Sequence, residues 1–230
     1  MISLKYLAEA CRTAYHEATV DAGNSQAFCE LHDGIPVIAI RGSDSGRDWI
    51  RNLDARLEYD WTLGYVHAGF SRAAGELRDF PAFATWCSAY LSPRRPLVLT
   101  GHSQGAAVAA LLGHWLANDK AVSQVHLATF GSPRVLSNEA AKCYTDVLQV
   151  SRVVHRDDLV PHLPSWRYTH VGTPIYLNTS AAGRAVRTLP AIVSEHLAKG
   201  GLLGWWERGW EDHHISNYVD FASDEEWLYA

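Results

Sequence analysis

The residues best suited to chemistry are Gly101-His102-Ser103-Gln104-Gly105. A serine between two glycines, where a strand runs into a helix, sits on a sharp turn that lifts its hydroxyl clear of the backbone. Gly101 and Gly105 carry no Cβ, which leaves room where strand and helix crowd together. The N–H of Gln104 opens the helix, where the helix dipole favours negative charge, and it points at a developing oxyanion. A bare G-x-S-x-G is also met as a tight turn with an idle serine. The strand before it and the helix after it favour a nucleophile here. A nucleophilic serine needs a general base, and the base needs an orienting acid. Asp157 and Asp158 both follow a strand-like run, and His196, His213 and His214 stand further along. The residues alone leave the choice within each set open.

Those groups must be held by the surrounding elements. Pro96 to Thr100 is a short apolar strand ahead of the serine, and Ala106 to Ala117 is an alanine- and leucine-rich helix behind it. Gln124 to Phe130 and Leu148 to His155 read as further strands, and Tyr168 to Leu177 as one more. Lys5 to Tyr15 places Leu7, Ala8, Cys11 and Tyr15 at helical spacing. Two β-rich runs, Ala27 to Leu31 and Ile35 to Arg41, flank His32-Asp33-Gly34, the pattern of a β-hairpin. Ser71 to Leu91 is helical in pattern, with a break at Pro81. Ser43 to Gly64 contains no clear strand, and Asn178 to Gly209 gives only a weak assignment. A short helix is expected to begin at Asp212-His213-His214. Strands alternating with helices predict an α/β fold with a mostly parallel central sheet flanked by helices. With no repeat or linker, residues 1–230 are expected to form a single domain.

Composition narrows the classes further. The chain has 230 residues, 47% hydrophobic and 20% charged, with a formal net charge of −5. These values are globular and argue against disorder or a coiled coil. No run approaches the ~20 apolar residues of a membrane span. No basic face marks a nucleic-acid partner. Cys11, Cys29, Cys87 and Cys143 are scattered without a C-x-x-C pair, and are expected to be reduced, mostly buried thiols. Asp212-His213-His214 lacks the ligand spacing of a metal site, so neither metal nor cofactor is expected. Met1 to Tyr6 shows no basic start followed by an apolar stretch, which gives the expectation of a cytoplasmic protein. Secretion by another route is the alternative.

The motifs taken together carry a resemblance. Ile40-Arg41-Gly42-Ser43, Val66-His67-Ala68-Gly69-Phe70, Gly101 to Ala106, Thr129-Phe130-Gly131-Ser132-Pro133-Arg134-Val135, Asp158-Leu159-Val160-Pro161-His162-Leu163-Pro164 and Asp212-His213 followed by Tyr218 stand in order along the chain. They resemble R-G-[ST], H-x-G-F, G-H-S-L-G-[GA], T-F-G-x-P-R-V, D-[IL]-V-P-x-L-P and the closing D-H…Y of the class 3 (fungal-type) triacylglycerol lipases, which have the α/β-hydrolase fold. The likeness runs over about residues 5 to 222. It implies Ser103 as nucleophile, Asp158 rather than Asp157 as the triad acid, and His213 as the base, with His214 its rival. It implies an oxyanion hole formed by Ser43 and the N–H of Gln104. The chain departs from the family pattern in its length, its lack of an evident export signal or disulfide framework, and Gln104 in place of the commoner leucine.

The resemblance also implies a lid, expected within residues 44–64, where Trp49, Ile50 and Leu53 have the spacing of a short amphipathic helix. Trp205 and Trp206 are candidates for an acyl-binding wall, against the plainer reading of core packing. His102 is expected to make a structural hydrogen bond to a neighbouring loop, and His155 and His162 to be ordinary core or surface residues. The implied activity is hydrolysis of lipid-type carboxylic esters through an acyl-enzyme. A phospholipase or feruloyl-type esterase with the same triad is the alternative. An inactive binding protein on the same fold, and a hydrolase of amides or thioesters, are the readings from other classes. The expected partners are a small-molecule or lipid ester and a transient lipid interface, with no obligate protein partner.

Overall fold

The computed structural model describes residues 2–43, 56–144, 148–164, 166–177, 209–222 and 224. Helix α1, Leu4–Ala14, is opened by Ser3, whose hydroxyl accepts from the Tyr6 N–H at 3.1 Å. Its Leu7, Ala8 and Cys11 are buried, as their helical spacing predicts. The two-residue strand β1, Val20–Asp21, precedes a hairpin of β2, Gln26–His32, and β3, Ile35–Ile40. Asp33 and Gly34 at its tip both take positive φ, as a two-residue turn between right-twisted strands requires.

A second, small hairpin follows, β4, Leu57–Asp60, with β5, Gly64–His67. The chain then forms α2, Ala68–Asp79, and α3, Pro81–Tyr90, separated by an extended Phe80. Pro81 therefore starts a helix rather than kinking one, since its missing N–H costs nothing in a first turn. The expected absence of strand between Ser43 and Gly64 is corrected by β4. Its alternation is short and its Glu58 and Tyr59 are exposed, so no apolar periodicity announces it. Part of the expected lid, residues 57–60, belongs to this hairpin. Residues 44–55, with Trp49, Ile50 and Leu53, lie outside the described residues, as do Trp205 and Trp206.

Strand β6, Pro96–His102, leads into α4, Gln104–Asn118. Then come β7, Gln124–Phe130; α5, Asn138–Cys143; β8, Leu148–His155; a 3-10 turn, Val160–His162; β9, Thr173–Leu177; and α6, Ile215–Phe221. The seven-stranded sheet has the order β1-β2-β3-β6-β7-β8-β9. From β3 to β9 every neighbouring pair is parallel, and β2 joins β3 antiparallel. β6 lies among these central strands and is buried on both faces, which is why it reads as a continuous apolar run. The pleat sends Leu97 and Leu99 into a core shared with α2 and α4, and Val98 into one shared with α1 and α6. Each leucine so buried contributes roughly 1.5–3 kcal/mol. Cys11 and Cys29 are buried free thiols, pushed up to about 12 by burial, while Cys87 is half-buried and Cys143 exposed. Among the described residues no helix is long and apolar enough to cross a membrane.

Candidate active site

The carboxyl ends of β6, β7 and β8 meet where the three sequence-predicted residues converge. Ser103 occupies the junction of β6 and α4 at φ 58° and ψ −127°, a backbone region that a side-chain-bearing residue rarely adopts. The turn is held by the Ser103 N–H, which donates to the Phe130 carbonyl at 3.0 Å. A Cβ on Gly101 would fall 2.5 Å from the Gly105 carbonyl carbon, and one on Gly105 would fall 2.7 Å from the Arg41 carbonyl carbon. Both glycines are needed because strand, helix and the end of β3 pack backbone to backbone here.

Ser103 Oγ is 2.9 Å from Nε2 of His213, and Nδ1 of His213 is 2.8 Å from Oδ2 of Asp158. The three residues are 2%, 5% and 0% exposed, so water does not compete for these bonds. A carboxylate only accepts, so Nδ1–H of His213 donates to Asp158 and Nε2 is left to take the serine proton. Asp158 follows β8 in a tight turn, with its N–H donating to the His155 carbonyl at 3.0 Å. Its Oδ1 accepts the Val160 N–H at 2.9 Å, and its Oδ2 also accepts the Tyr218 hydroxyl. Burial alone would raise this carboxyl, but the charge of His213 and these three donors outweigh it and hold it below the ordinary carboxylate range.

Gly131, at φ 58°, lets β7 end against this pair. A Cβ there would stand 2.7 Å from Oδ2 of Asp158 and 2.9 Å from Nδ1 of His213. His102 lies beneath. Its Nε2–H donates to the His213 carbonyl at 2.8 Å, and its Nδ1 accepts the Tyr15 hydroxyl at 2.8 Å. Burial, then the nearby His213 charge, push His102 down to about 3, so it is a neutral strut. The predicted structural bond to a neighbouring loop is thus made on both ring nitrogens.

Ser43, just past β3, donates its hydroxyl to the side-chain carbonyl of Gln104. Gln104 is the first residue of α4, so its N–H is one of the four that a helix leaves without an internal acceptor. The two predicted oxyanion residues are therefore side by side at the positive end of the helix. His214 is exposed and caps α6 rather than meeting Ser103. His155 is buried behind the site, its Nδ1 donating to the Asp212 carbonyl at 3.1 Å. The Asp157 N–H donates to the Asp212 carboxylate at 3.3 Å. Both ring nitrogens of His213 are engaged, which leaves it no donor for a metal. Residues whose supporting roles were not foreseen are Tyr15, Tyr218, Gly131 and Trp210, whose ring stands edge-on to His213 at 5.9 Å. Tyr218 and Gly131 left a signal in the sequence, as the tyrosine that closes the D-H…Y motif and the glycine of T-F-G-x-P-R-V.

A cleft of about 530 Å³ opens over Ser103. Among the described residues it is lined by Arg12, Tyr15, Ser43, Trp210, Ile215 and others beside the histidines. A buried serine hydroxyl, a base on its oxygen, an acid behind the base and helix-end N–H groups beside it can carry out acyl transfer.

Several known proteins resemble this chain over much of its length. The family model described as Lipase (class 3) matches residues 37–168. Secreted mono- and diacylglycerol lipase 1 of Fusarium solani is 33% identical over 177 residues, covering 73% of this chain and 53% of the relative. Secreted mono- and diacylglycerol lipase A of Penicillium camembertii is 31% identical over 166 residues, covering 66% and 50%. The chain thus spans about half the length of the curated relatives it matches. Among solved structures, the triacylglyceride lipase of Rhizomucor miehei aligns with a TM-score of 0.62 at 25% identity, covering 76% of this chain and 77% of that one. A lipase from Rhizopus microsporus var. chinensis aligns at 0.57 and 28% identity, covering 66% and 57%. The fold is that of the α/β-hydrolases. The expectation of a cytoplasmic protein is corrected by the relatives, which are named as secreted proteins and point outside the cell. An export leader is cleaved and forms no part of a folded domain, so the residues that build the fold are silent about compartment. The family model covers more than half of the chain and includes the serine elbow and Asp158: the chain belongs to the class 3 lipase family.

Proposed function

We propose that this protein is a serine hydrolase of lipid-type carboxylic esters, working outside the cell. The single observation behind it is the unbroken, buried line from Ser103 Oγ through His213 to Asp158, set on a strained turn under an open cleft. In this reading His213 Nε2 takes the Ser103 proton as the oxygen attacks the ester carbonyl. Asp158 keeps the imidazole in the required tautomer and offsets its positive charge. The N–H groups of Ser43 and Gln104 receive the oxyanion, and losing one such donor typically costs about 10²–10³ in turnover. His213 then hands the proton to the leaving alcohol, and water repeats the sequence on the acyl-enzyme. Membership of the class 3 lipase family supports a lipid ester as the substrate.

The test is hydrolysis of p-nitrophenyl esters from acetyl to palmitoyl, below and above substrate aggregation, with matched amides alongside. Preference for long-chain esters, lost in Ser103→Ala, is the expected outcome. No hydrolysis of any ester, or equal turnover of the amides, would overturn the reading.

A further inference from the structure

The loop that carries His213 is held by two buried histidines at consecutive carbonyls. The His213 carbonyl accepts from His102 at 2.8 Å, and the Asp212 carbonyl accepts from Nδ1–H of His155 at 3.1 Å. The His213 N–H donates to the Trp210 carbonyl at 3.2 Å. The peptide before the His213 Cα is therefore pinned at both ends, and the peptide after it at its oxygen. Peptide units are planar, so only two soft dihedrals lie between them, and both are constrained. The direction in which the imidazole leaves the backbone follows.

His155 ends β8 and is only 1% exposed. Its backbone serves the acid. Its carbonyl accepts the Asp158 N–H at 3.0 Å, and its N–H donates to Tyr218, whose hydroxyl donates to Asp158. One residue thus joins the turn that bears the acid to the loop that bears the base. Further bonds cross between these segments, from the Asp157 N–H to the Asp212 carboxylate at 3.3 Å and from the Leu159 N–H to the Gly209 carbonyl at 3.4 Å. Both are longer than an ordinary N–H···O bond, so the His155 bond is the firmest of these. What each ring nitrogen meets sets the tautomer. Nδ1 faces two acceptors, the Asp212 carbonyl and, at 3.6 Å, the Asp212 carboxylate, so it carries the proton. Nε2 is buried with no partner among the described residues, and a bare acceptor there is tolerated better than an unpaired N–H. Burial lowers the ring's pKa and favours its neutral form.

We propose that His155 is a positioning residue for the ester hydrolysis: through the Asp212 carbonyl it sets where the His213 ring stands between Asp158 and Ser103. This role rests on the reading of His213 as general base. His155 touches none of the reacting atoms and is absent from the cleft wall. Without its N–H the peptide before His213 is released at its oxygen, and the imidazole can swing off the Ser103 hydroxyl. Misplacement of about 1 Å can cost on the order of 10² in rate, so the loss falls on turnover rather than on substrate binding.

The experiment has two parts. The first is steady-state hydrolysis of p-nitrophenyl butyrate by the natural chain, His155→Phe, His155→Asn and Ser103→Ala. Phenylalanine keeps a ring in the space but has no donor, whereas asparagine offers an amide N–H close to where Nδ1–H stands. His155→Phe is expected to lower kcat by about tenfold or more with KM unchanged, and His155→Asn to restore most of it. A natural kcat in His155→Phe, a change confined to KM, or an asparagine variant no better than phenylalanine would overturn the proposal. The second part covers the case in which His155→Phe does not fold. Long-range nitrogen–proton spectra of the histidine-labelled chain carrying Ser103→Ala read the His155 tautomer without turnover. The proton is expected on Nδ1, and a proton on Nε2 would overturn the proposal. Hydrolysis undiminished in Ser103→Ala would refute the underlying reading of the site, whereas a natural kcat in His155→Phe beside an inactive Ser103→Ala would refute only the role of His155.

Discussion

The rings of His102 and His213 are stacked with centroids 4.7 Å apart, and His102 donates to the His213 backbone carbonyl. The residue before the candidate nucleophile thus fixes the backbone of the candidate base, across 111 positions of sequence. It can do so only while neutral, because its other nitrogen must accept from Tyr15.

This relationship sets an acid limit on stability. His102 is pushed down to about 3 in the folded chain, chiefly by burial, against an ordinary value near 6.5. Between those values the unfolded chain binds a proton that the folded chain does not, so stability is full above about pH 6.5 and falls toward pH 3. At pH 5 the loss from this residue is about 2 kcal/mol. Burial lowers His170 to about 3 in the same way, and the depressed Asp158 acts in the same direction below about pH 4. Urea unfolding at pH 7.5 and pH 5 should show a steeper loss in the natural chain than in His102→Gln. Equal losses in both chains would refute this account of His102.

Tyr218 is a positioning residue. It is fully buried, donates to Asp158, accepts the His155 N–H at 3.2 Å and is absent from the cleft wall. Tyr218→Phe removes one of the three donors to Asp158 and is expected to lower kcat about tenfold while leaving KM unchanged. That drop corresponds to about 1.4 kcal/mol, within the range for one buried hydrogen bond. A change in KM alone would show that the hydroxyl does not act through the acid.

Gly131→Ala tests how tightly the acid and base are packed. The added methyl carbon would meet Asp158 and His213 inside 3 Å, and φ would remain in the left-handed region. Misplacement of about 1 Å can cost on the order of 10² in rate. Ester turnover is expected to fall by about that factor, with near-normal circular dichroism. Full activity in this variant would mean that the pair relaxes freely.

Much of this architecture was legible because local patterns agreed with the fold. The apolar run of β6, the glycine pair of the elbow and the alanine-rich α4 each announced themselves, and Asp158 sat at a strand end. The Asp33-Gly34 turn gave the first hairpin. Strand β4 was missed because half of its residues face solvent. Tyr15 and Gly131 were missed for a different reason. Their roles arise from contacts between distant segments, such as Tyr15 with His102 and β7 with His213, which no local period encodes. The compartment was misjudged because folding does not depend on it.

The most direct measurement is trapping of the nucleophile with a p-nitrophenyl alkylphosphonate, followed by intact mass and peptide mapping. One adduct per chain, on Ser103, is predicted, with none in Ser103→Ala and much slower labelling in His213→Ala. An adduct mapped to another residue, or ester hydrolysis undiminished in Ser103→Ala, would contradict the account.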